Sequence, residues 1–334
     1  MDALRACGVA ASQLDSSLDE HDRYNAETNL REGKLRLLFV SPERLAVPEF
    51  RSLLRHVDIR TFAIDEAHCI SHWGHDFRPD YRQLANLREH FPHTTVHAYT
   101  ATATERVRGD IVNQLALRDP AILVGNFDRP NLTYRVLARF EVVEQVIEVL
   151  ERHGDEAGII YCLRRLDVDE LADSLRSRGV NALPYHAGMT TEQRTLVQEA
   201  FRSERCNIVV ATIAFGMGID RSNVRFVMHT AIPKSIEHYQ QETGRAGRDG
   251  LEAECVLLYS GADTQSFRRI IEKSARDNAA DPSYLPAALK HLEDMDRFCR
   301  GSVCRHRTLV EYFGQAYQAE TCRACDICLG DTEP

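Results

Sequence analysis

Short apolar runs alternate along this chain with segments in which apolar residues recur every three or four positions. The second pattern is clear at Val142, Val146 and Leu150, and this spacing predicts an amphipathic helix. The apolar runs predict β-strands over 35–40, 61–64, 94–99, 121–124, 158–162, 207–211, 225–229 and 254–259. Because strands and helices alternate, the chain is predicted to be an α/β protein whose parallel sheets carry helices on both faces.

The alternating pattern is interrupted twice. The stretch Phe127-Asp128-Arg129-Pro130-Asn131 predicts a linker, because proline ends regular structure and the pattern restarts after it. From about Ala262 onward the predicted strands stop, and helical patterns with a cysteine cluster take over. We therefore expect three modules, covering residues 1–130, 131–262 and 263–334.

Composition restricts the class of protein only broadly. The 334 residues are 43% hydrophobic and 27% charged, which is typical of globular proteins, and no apolar run approaches the roughly 18 residues of a membrane span. Ten cysteines without a secretory signal favour a reducing compartment. We expect a cytoplasmic protein without membrane association, nucleoid-associated if bacterial. The net charge of −9 weighs against a nucleic-acid partner, but a local basic patch is sufficient for binding.

An acidic pair follows one predicted strand. Asp65 and Glu66 open the sequence Asp-Glu-Ala-His directly after the run 61–64. Parallel sheets present their chemistry at the carboxyl ends of their strands. There one carboxylate is suited to hold Mg²⁺ and its neighbour to orient or deprotonate an attacking water. This pair predicts nucleotide hydrolysis.

An aromatic segment follows the acidic pair. Trp73, Phe77 and Tyr81 stand among histidines and arginines, His75 and Arg78 included. Aromatic rings beside cationic groups suit stacking on unpaired bases. A hydrolysis motif joined to a base-stacking loop indicates a nucleic-acid motor.

Each of three further segments has a structural interpretation as well as a functional one. The threonines of 100–104 are suited to bridge the acidic pair to other parts of a cleft, but a helix N-cap is at least as common. The segment 211–220 leaves a strand through glycines that let backbone amides approach phosphate, although such turns without a ligand are equally frequent. In the Arg-Gly sequence 240–250, Arg248 is placed to act as an arginine finger with Arg245 beside it, the alternative being a solvated loop.

The last module contains a metal-type cysteine spacing. Cys304, Cys322, Cys325 and Cys328 form a C-x17-C-x2-C-x2-C pattern, which suits four-thiolate Zn²⁺ in a closed structural site. Cys299 competes as the first ligand, although its helical flank favours a packed or free thiol. The cysteines beside the apolar strands are predicted to behave as small hydrophobes; these are Cys69, Cys162 and Cys255.

Taken together, these motifs resemble those of the RecQ family of DNA helicases in superfamily two. Residues 65–68 resemble the Walker B motif, 71–81 the aromatic-rich loop, 100–104 motif three and 158–165 motif four. Residues 211–220 resemble motif five, 241–248 motif six, and 312–314 a stretch typical of the zinc-binding domain. The resemblance implies two RecA-like helicase lobes followed by a small helical zinc-binding domain.

The resemblance also implies roles for residues. Catalysis would involve Asp65 as the Mg²⁺ ligand, Glu66 as the activator of water, and Arg245 and Arg248. The remaining roles are coupling to ATP at His68, Gln241, Asp220 and Gly218, and DNA contacts at Trp73, His75, Phe77 and Arg78. The activity implied is ATP-driven 3′-to-5′ unwinding, with single-stranded and forked duplex DNA as partners, in repair and recombination.

The sequence departs from the family at its front. A helicase motor needs a G-x-x-x-x-G-K-[ST] loop to cradle phosphates, and these residues contain none. The single Gly-Lys pair, Gly33-Lys34, is followed by Leu35 and precedes a strand. We expect an N-terminally truncated helicase chain whose first lobe is incomplete, marginally stable and prone to aggregate. We also expect ATP binding to be too impaired for useful turnover. The alternative is a non-catalytic DNA-binding or regulatory fragment.

Overall fold

The computed structural model describes residues 2–15, 18–216, 218–277 and 284–331. Met217, within the segment that resembles motif five, and residues 278–283 and 332–334 of the predicted third module lie outside them. The chain divides into two compact units, residues 1–123 and 124–334. Within the described part, no helix is both long and apolar enough to cross a bilayer.

The strands of the two units are short and all their pairings are parallel. They are β1 (Ala11–Leu14), β2 (Leu37–Val40), β3 (Thr61–Ile64), β4 (Thr95–Ala98), β5 (Leu132–Ala138), β6 (Ala157–Tyr161), β7 (Ala182–Tyr185), β8 (Ile208–Ala211), β9 (Val224–His229) and β10 (Ala253–Tyr259).

The helices of the first unit are α1 (Asp2–Ala6), α2 (Glu20–Arg31), α3 (Pro42–Ala46), α4 (Pro48–Leu54), α5 (Leu87–His90) and α6 (Glu105–Gln114), with 3₁₀ helices at Ala67–Ile70 and Pro79–Asn86. Those of the second unit are α7 (Val142–His153), α8 (Arg165–Ser177), α9 (Thr191–Arg202), α10 (Ile236–Thr243), α11 (Gly261–Asp277), α12 (Tyr284–Arg300), α13 (Arg305–Tyr312) and α14 (Asp326–Leu329).

The second unit is built on a six-stranded sheet in the order β5-β10-β9-β6-β8-β7. All residues of β6 and β8 are buried, which is why these strands are continuous apolar runs. Close packing also explains a glycine in β6, because a Cβ at Gly158 would lie 1.9 Å from the ring of Phe226. The sheet therefore has a core on each of its faces.

The cysteine-containing module closes one edge of this sheet. The Tyr134 N–H on edge strand β5 donates to the Ala324 carbonyl at 3.0 Å, and the Val136 N–H donates to Asp326 at 3.0 Å. Asp326 also forms a buried ion pair with Arg305, whose Nε lies 2.9 Å from the carboxylate. Covering an edge in this way satisfies backbone groups that would otherwise offer a pairing site to another chain.

The first unit contains two separate two-stranded sheets, β1-β2 and β3-β4. One side of these strands packs on a core that includes Leu14, Ile64 and Ile111. The other side is open, with Leu37 39% exposed and Phe39 50% exposed on β2. The apolar side chains of β2 are therefore only partly covered by the core of this unit.

Most of the predicted strands are present within one or two residues of their predicted ends, but the strand predicted over 121–124 is wrong. Those residues have no regular structure, and Leu123 is 92% exposed, because the short apolar run has no strand partner among the described residues. Three strands were missed, namely β1, β5 and β7. β7 contains Pro184, which an edge strand tolerates because it need not donate there.

The second compact unit starts earlier than the predicted lobe boundary at residue 130. The segment predicted as a linker is fixed to the second unit by side chains. Arg129 donates to the carbonyls of Ala246 and Gly247 at 3.0 and 2.9 Å, and the Asn131 amide donates to Gly247 and Leu251 at 3.0 and 2.8 Å. These bonds hold residues 129–131 against the turn that follows α10.

Candidate functional site

The acidic pair lies at the carboxyl end of β3, where the sequence placed it. Asp65 is exposed and its carboxylate accepts the N–H of Glu66 at 2.9 Å. Glu66 adopts a left-handed conformation with φ 48°, so the chain turns sharply from the strand into the following 3₁₀ helix. Positive φ is unfavourable for a residue with a Cβ and is concentrated at functional turns. The turn leaves both carboxylates at the end of the strand.

His68 joins the acidic pair to two neighbouring motifs. Its Nδ1 lies 3.2 Å from the Glu66 carboxylate and 2.9 Å from the Thr100 hydroxyl. The imidazole is 2% exposed, and its ring stacks on His75 with a centroid distance of 4.2 Å. The structure therefore brings together the Walker B-like segment, the threonine segment and the aromatic segment, which sequence spacing alone does not establish. Thr104 is also the N-cap of α6, as its alternative interpretation predicted.

A glycine shapes the aromatic segment. A Cβ on Gly74 would lie 2.3 Å from the backbone oxygen of His68, so only glycine allows this approach. The Arg78 N–H closes the segment by donating to the Cys69 carbonyl at 2.9 Å. Burial raises the pKa of the Cys69 thiol to about 12, which keeps it neutral and agrees with its predicted role as a small hydrophobe.

The predicted DNA-contacting side chains engage neighbours within the first unit. Phe77 stacks on His72 at 4.0 Å, and Arg78 binds Asp76 with Nη2 at 2.7 Å. The guanidinium of Arg106 lies 3.2 Å from the centroid of the Trp73 ring. A ligand base that stacks on that face of Trp73 therefore has to displace Arg106.

In the second unit, both arginines of the Arg-Gly sequence bind the segment that resembles motif five. Arg245 is 8% exposed and its Nη1 donates to the Gly216 carbonyl at 2.6 Å. Arg248 is exposed and its Nη1 donates to the Ile219 carbonyl at 2.8 Å. A Cβ on Gly216 would lie 2.5 Å from the Arg245 guanidinium, so the glycine makes room for the arginine.

The surroundings of Arg248 favour an arriving anion. Arg248 is exposed as a whole, but its bond to the Ile219 carbonyl is partly buried. Partial burial, followed by the charge of Arg245, lowers the pKa of the Arg248 guanidinium, while Asp220 acts in the opposite sense. Arginine nevertheless stays protonated in proteins. A cation that is partly desolvated beside another cation gains when a phosphate arrives. Gln241 lies on α10, and Gly218, with φ +82°, lies in the turn before Asp220.

A buried pair holds the helix that leads to these arginines. His229 at the end of β9 contacts Glu242 of α10, with Nε2 2.7 Å from the carboxylate, and both side chains are under 10% exposed. Sequence reasoning did not identify this pair or Arg106. Apart from the predicted bridge between the threonines of 100–104 and the acidic pair, it linked residues only within a motif. A histidine that ends a buried strand was the only available signal for the pair.

The four cysteines form one cluster. The Sγ atoms of Cys304, Cys322, Cys325 and Cys328 lie within 4.8 Å of one another. Backbone N–H groups donate to the sulfurs of Cys322 and Cys325 at 3.3 and 3.4 Å, which favours the thiolate form that metals bind. This donor set fits a tetrahedral structural Zn²⁺ site. Cys299 lies outside the cluster, so the geometry selects Cys304 as the first ligand.

Three family models match successive parts of the chain. The DEAD/DEAH box helicase model matches residues 2–110, the helicase conserved C-terminal domain matches 139–250, and the RecQ zinc-binding model matches 261–329.

Curated relatives agree with these matches. The chain is 45% identical to the ATP-dependent DNA helicase RecQ of Pasteurella multocida, with 98% of this chain and 51% of the relative covered. It is 43% identical to the protein of the same name from Haemophilus influenzae, with 98% and 52% covered. The chain thus spans about half the length of these relatives.

Solved structures share the fold. The DEAD-box helicase Mss116 bound to ssRNA and UDP-BeF aligns with a TM-score of 0.62 and 20% identity, over 79% of this chain and 56% of that one. The Mycobacterium smegmatis helicase Lhr bound to ssDNA and AMP-PNP gives 0.58 and 18%, over 89% and 46%. These likenesses place both α/β units in the helicase fold class.

Proposed function

The chain belongs to the RecQ family of ATP-dependent DNA helicases, and we propose that its two units carry the DNA-binding and nucleotide-responding surfaces of such a motor. The observation that carries this proposal is the position of His68. It contacts the acidic pair through Glu66, the threonine segment through Thr100 and the aromatic segment through His75. A movement of the aromatic segment would therefore be transmitted to the Glu66 carboxylate through the buried His68 ring.

The geometry of each unit supports the catalytic roles that we propose. When bound, Mg²⁺-ATP supplies the phosphoryl group that is transferred to water. Asp65 would hold the metal, and Glu66, kept in place by its turn and by His68, would orient the water. In the second unit Arg248 would stabilise charge on the γ-phosphate, and Arg245 would hold the segment at Gly216 in position. Coupling to ATP would involve His68 in the first unit, and Gln241, Asp220 and Gly218 in the second.

The 334 residues taken alone should bind DNA without useful ATP turnover. They contain no G-x-x-x-x-G-K-[ST] sequence to cradle the β- and γ-phosphates. Removing even one preorganised donor lowers a rate by about 10²–10³ in a well-studied enzyme. The second candidate function is a non-catalytic DNA-binding or regulatory role, which would use the aromatic segment, the second unit and the cysteine module without a bound nucleotide. In both cases the DNA partner is single-stranded or forked, since stacking rings need unpaired bases.

The aromatic segment can be tested directly, because Trp73 is the single tryptophan of the chain. Titration with oligo-dT is expected to change Trp73 emission as bases displace Arg106 from the ring. Phe77→Ala should weaken binding roughly tenfold, as expected for the loss of one stacked base. Fluorescence anisotropy of labelled oligo-dT measures that affinity.

The matched control is Phe140→Ala, which removes a ring that is 69% exposed on the second unit and outside the aromatic segment. It should leave the affinity for oligo-dT unchanged. Binding detected by anisotropy without any change in Trp73 emission, or equal affinities of the two variants, would show that DNA binds elsewhere.

A further inference from the structure

A side chain of the cysteine module binds the chain where it enters the second unit. The Gln315 Nε2 donates to the Gly125 carbonyl at 2.8 Å, and its Oε1 accepts the Phe127 N–H at 3.0 Å. One side-chain amide thus satisfies two backbone groups on alternate residues, as a neighbouring β-strand would.

The end of α13 places Gln315 for this contact. The Gln315 N–H donates to the Val310 carbonyl at 3.2 Å and the Gly314 N–H to Glu311 at 3.0 Å. With Gly314 at φ +83°, these bonds form a Schellman-type helix end. The helix therefore ends at a defined residue, and the Gln315 side chain that follows is positioned for its two hydrogen bonds.

Further contacts fix the same segment from two sides. The Phe127 ring stacks on Phe313 at 4.4 Å with an interplanar angle of 10°, and Asp128 lies 2.7 Å from His306. From the other side, Gln240 of α10 donates to the Phe127 carbonyl at 3.1 Å. Residues 125–128 therefore connect the cysteine module to the helix that leads to Arg245 and Arg248.

The residues just before this segment differ sharply from it. Residues 119–124 have no regular structure, and Ile122 and Leu123 are 57% and 92% exposed. The division between the compact units falls between Leu123 and Val124. The exposed residues 122–123 are thus followed within a few positions by residues 125–128, which the second unit holds in place.

We propose that the cysteine module clamps residues 125–128 onto the second unit through Gln315 and Phe313, so that the chain is held from residue 125 onward while residues 119–124 stay open to exchange and cleavage. The cysteine module then positions the chain at the start of the second unit as well as covering the edge of its sheet. The clamp depends on contacts within the second unit only, so it stands whether or not the chain hydrolyses ATP.

Hydrogen exchange of the zinc-loaded chain, resolved to single amides, tests this clamp. Gln315→Ala should raise exchange at the Phe127 amide roughly tenfold, since its acceptor is lost. Gln315→Glu keeps an acceptor oxygen and should leave that amide protected. Gln318→Ala, an exposed glutamine in the same module, is the matched control and should change nothing.

Two further measurements test where the held segment begins and whether the clamp depends on the metal. Elastase should nick the native chain within 121–124 and leave 125–131 intact. Chelation of zinc should raise exchange at Phe127 while the amides of β6 stay protected. The proposal is overturned if Gln315→Ala leaves Phe127 protected, if the Ala and Glu variants exchange alike, if elastase cuts 125–131 first, or if chelation raises exchange equally throughout the second unit.

Discussion

Replacing Cys325 by serine is expected to abolish zinc binding and unfold the cysteine module. Cys325 is fully buried within the four-thiolate cluster. Structural zinc contributes about 10–16 kcal/mol in zinc-finger peptides, whereas whole domains are stable by only about 5–15 kcal/mol. Loss of one ligand should therefore remove the module from β5 and lower the melting temperature of the second unit by about 10 °C or more. Metal analysis and circular dichroism measure the two effects.

Cys299→Ser is the control for this substitution. Cys299 is also buried, and it was the competing first ligand in the sequence, but it lies outside the cluster. This variant should lose some packing and keep about one zinc ion per chain. A Cys299→Ser chain without zinc, or a Cys325→Ser chain that retains zinc and its melting temperature, would contradict the assigned ligand set.

Thermal unfolding is expected to occur in two transitions, with the first unit melting at the lower temperature. The strands of the first unit pair two by two and expose Phe39 and Leu37, whereas Val209 and Val210 on β8 are fully buried. Parallel sheets normally bury both faces, so the open face leaves the first unit weakly stabilised and prone to aggregate. We expect the two transitions to be separated by roughly 10 °C.

Trp73 reports on the first unit alone, so its emission should change at the lower transition, while calorimetry records both. Phe39→Thr should reduce aggregation without lowering that transition, because the side chain is half exposed. Leu38→Thr, on the side that packs against the core, should lower it. One high, cooperative transition seen by both methods would show that the first unit is not the weak part.

The strands were predictable from the sequence where every residue of the strand is buried. Strands such as β6 and β8 are buried on both faces, so their sequences are continuous apolar runs that a pattern detects. Edge strands were missed, because β5 contains Arg135 and β7 contains Pro184, and an edge tolerates both. The false strand over 121–124 has the opposite cause. Its apolar residues are exposed in the chain that joins the two units, and composition does not report exposure.

The candidate site was predictable as motifs and not as contacts. Local sequence placed Glu66 at a strand end and grouped the cysteines. It predicted that the threonines of 100–104 bridge the acidic pair, but it did not identify His68 as the residue that contacts Thr100. It also did not reveal that the Arg245 guanidinium packs against Gly216. Both contacts join residues about thirty positions apart. The roles assigned to these residues remain proposals, and their contacts indicate which variants test them.

The most direct test of the account is ATP hydrolysis by the 334-residue chain with and without single-stranded DNA, beside oligo-dT binding in the same samples and with Glu66→Gln as control. We predict DNA binding with no turnover above that of the Glu66→Gln variant. DNA-stimulated turnover that disappears in Glu66→Gln would contradict the account, because it would mean that residues other than a G-x-x-x-x-G-K-[ST] loop hold the phosphates.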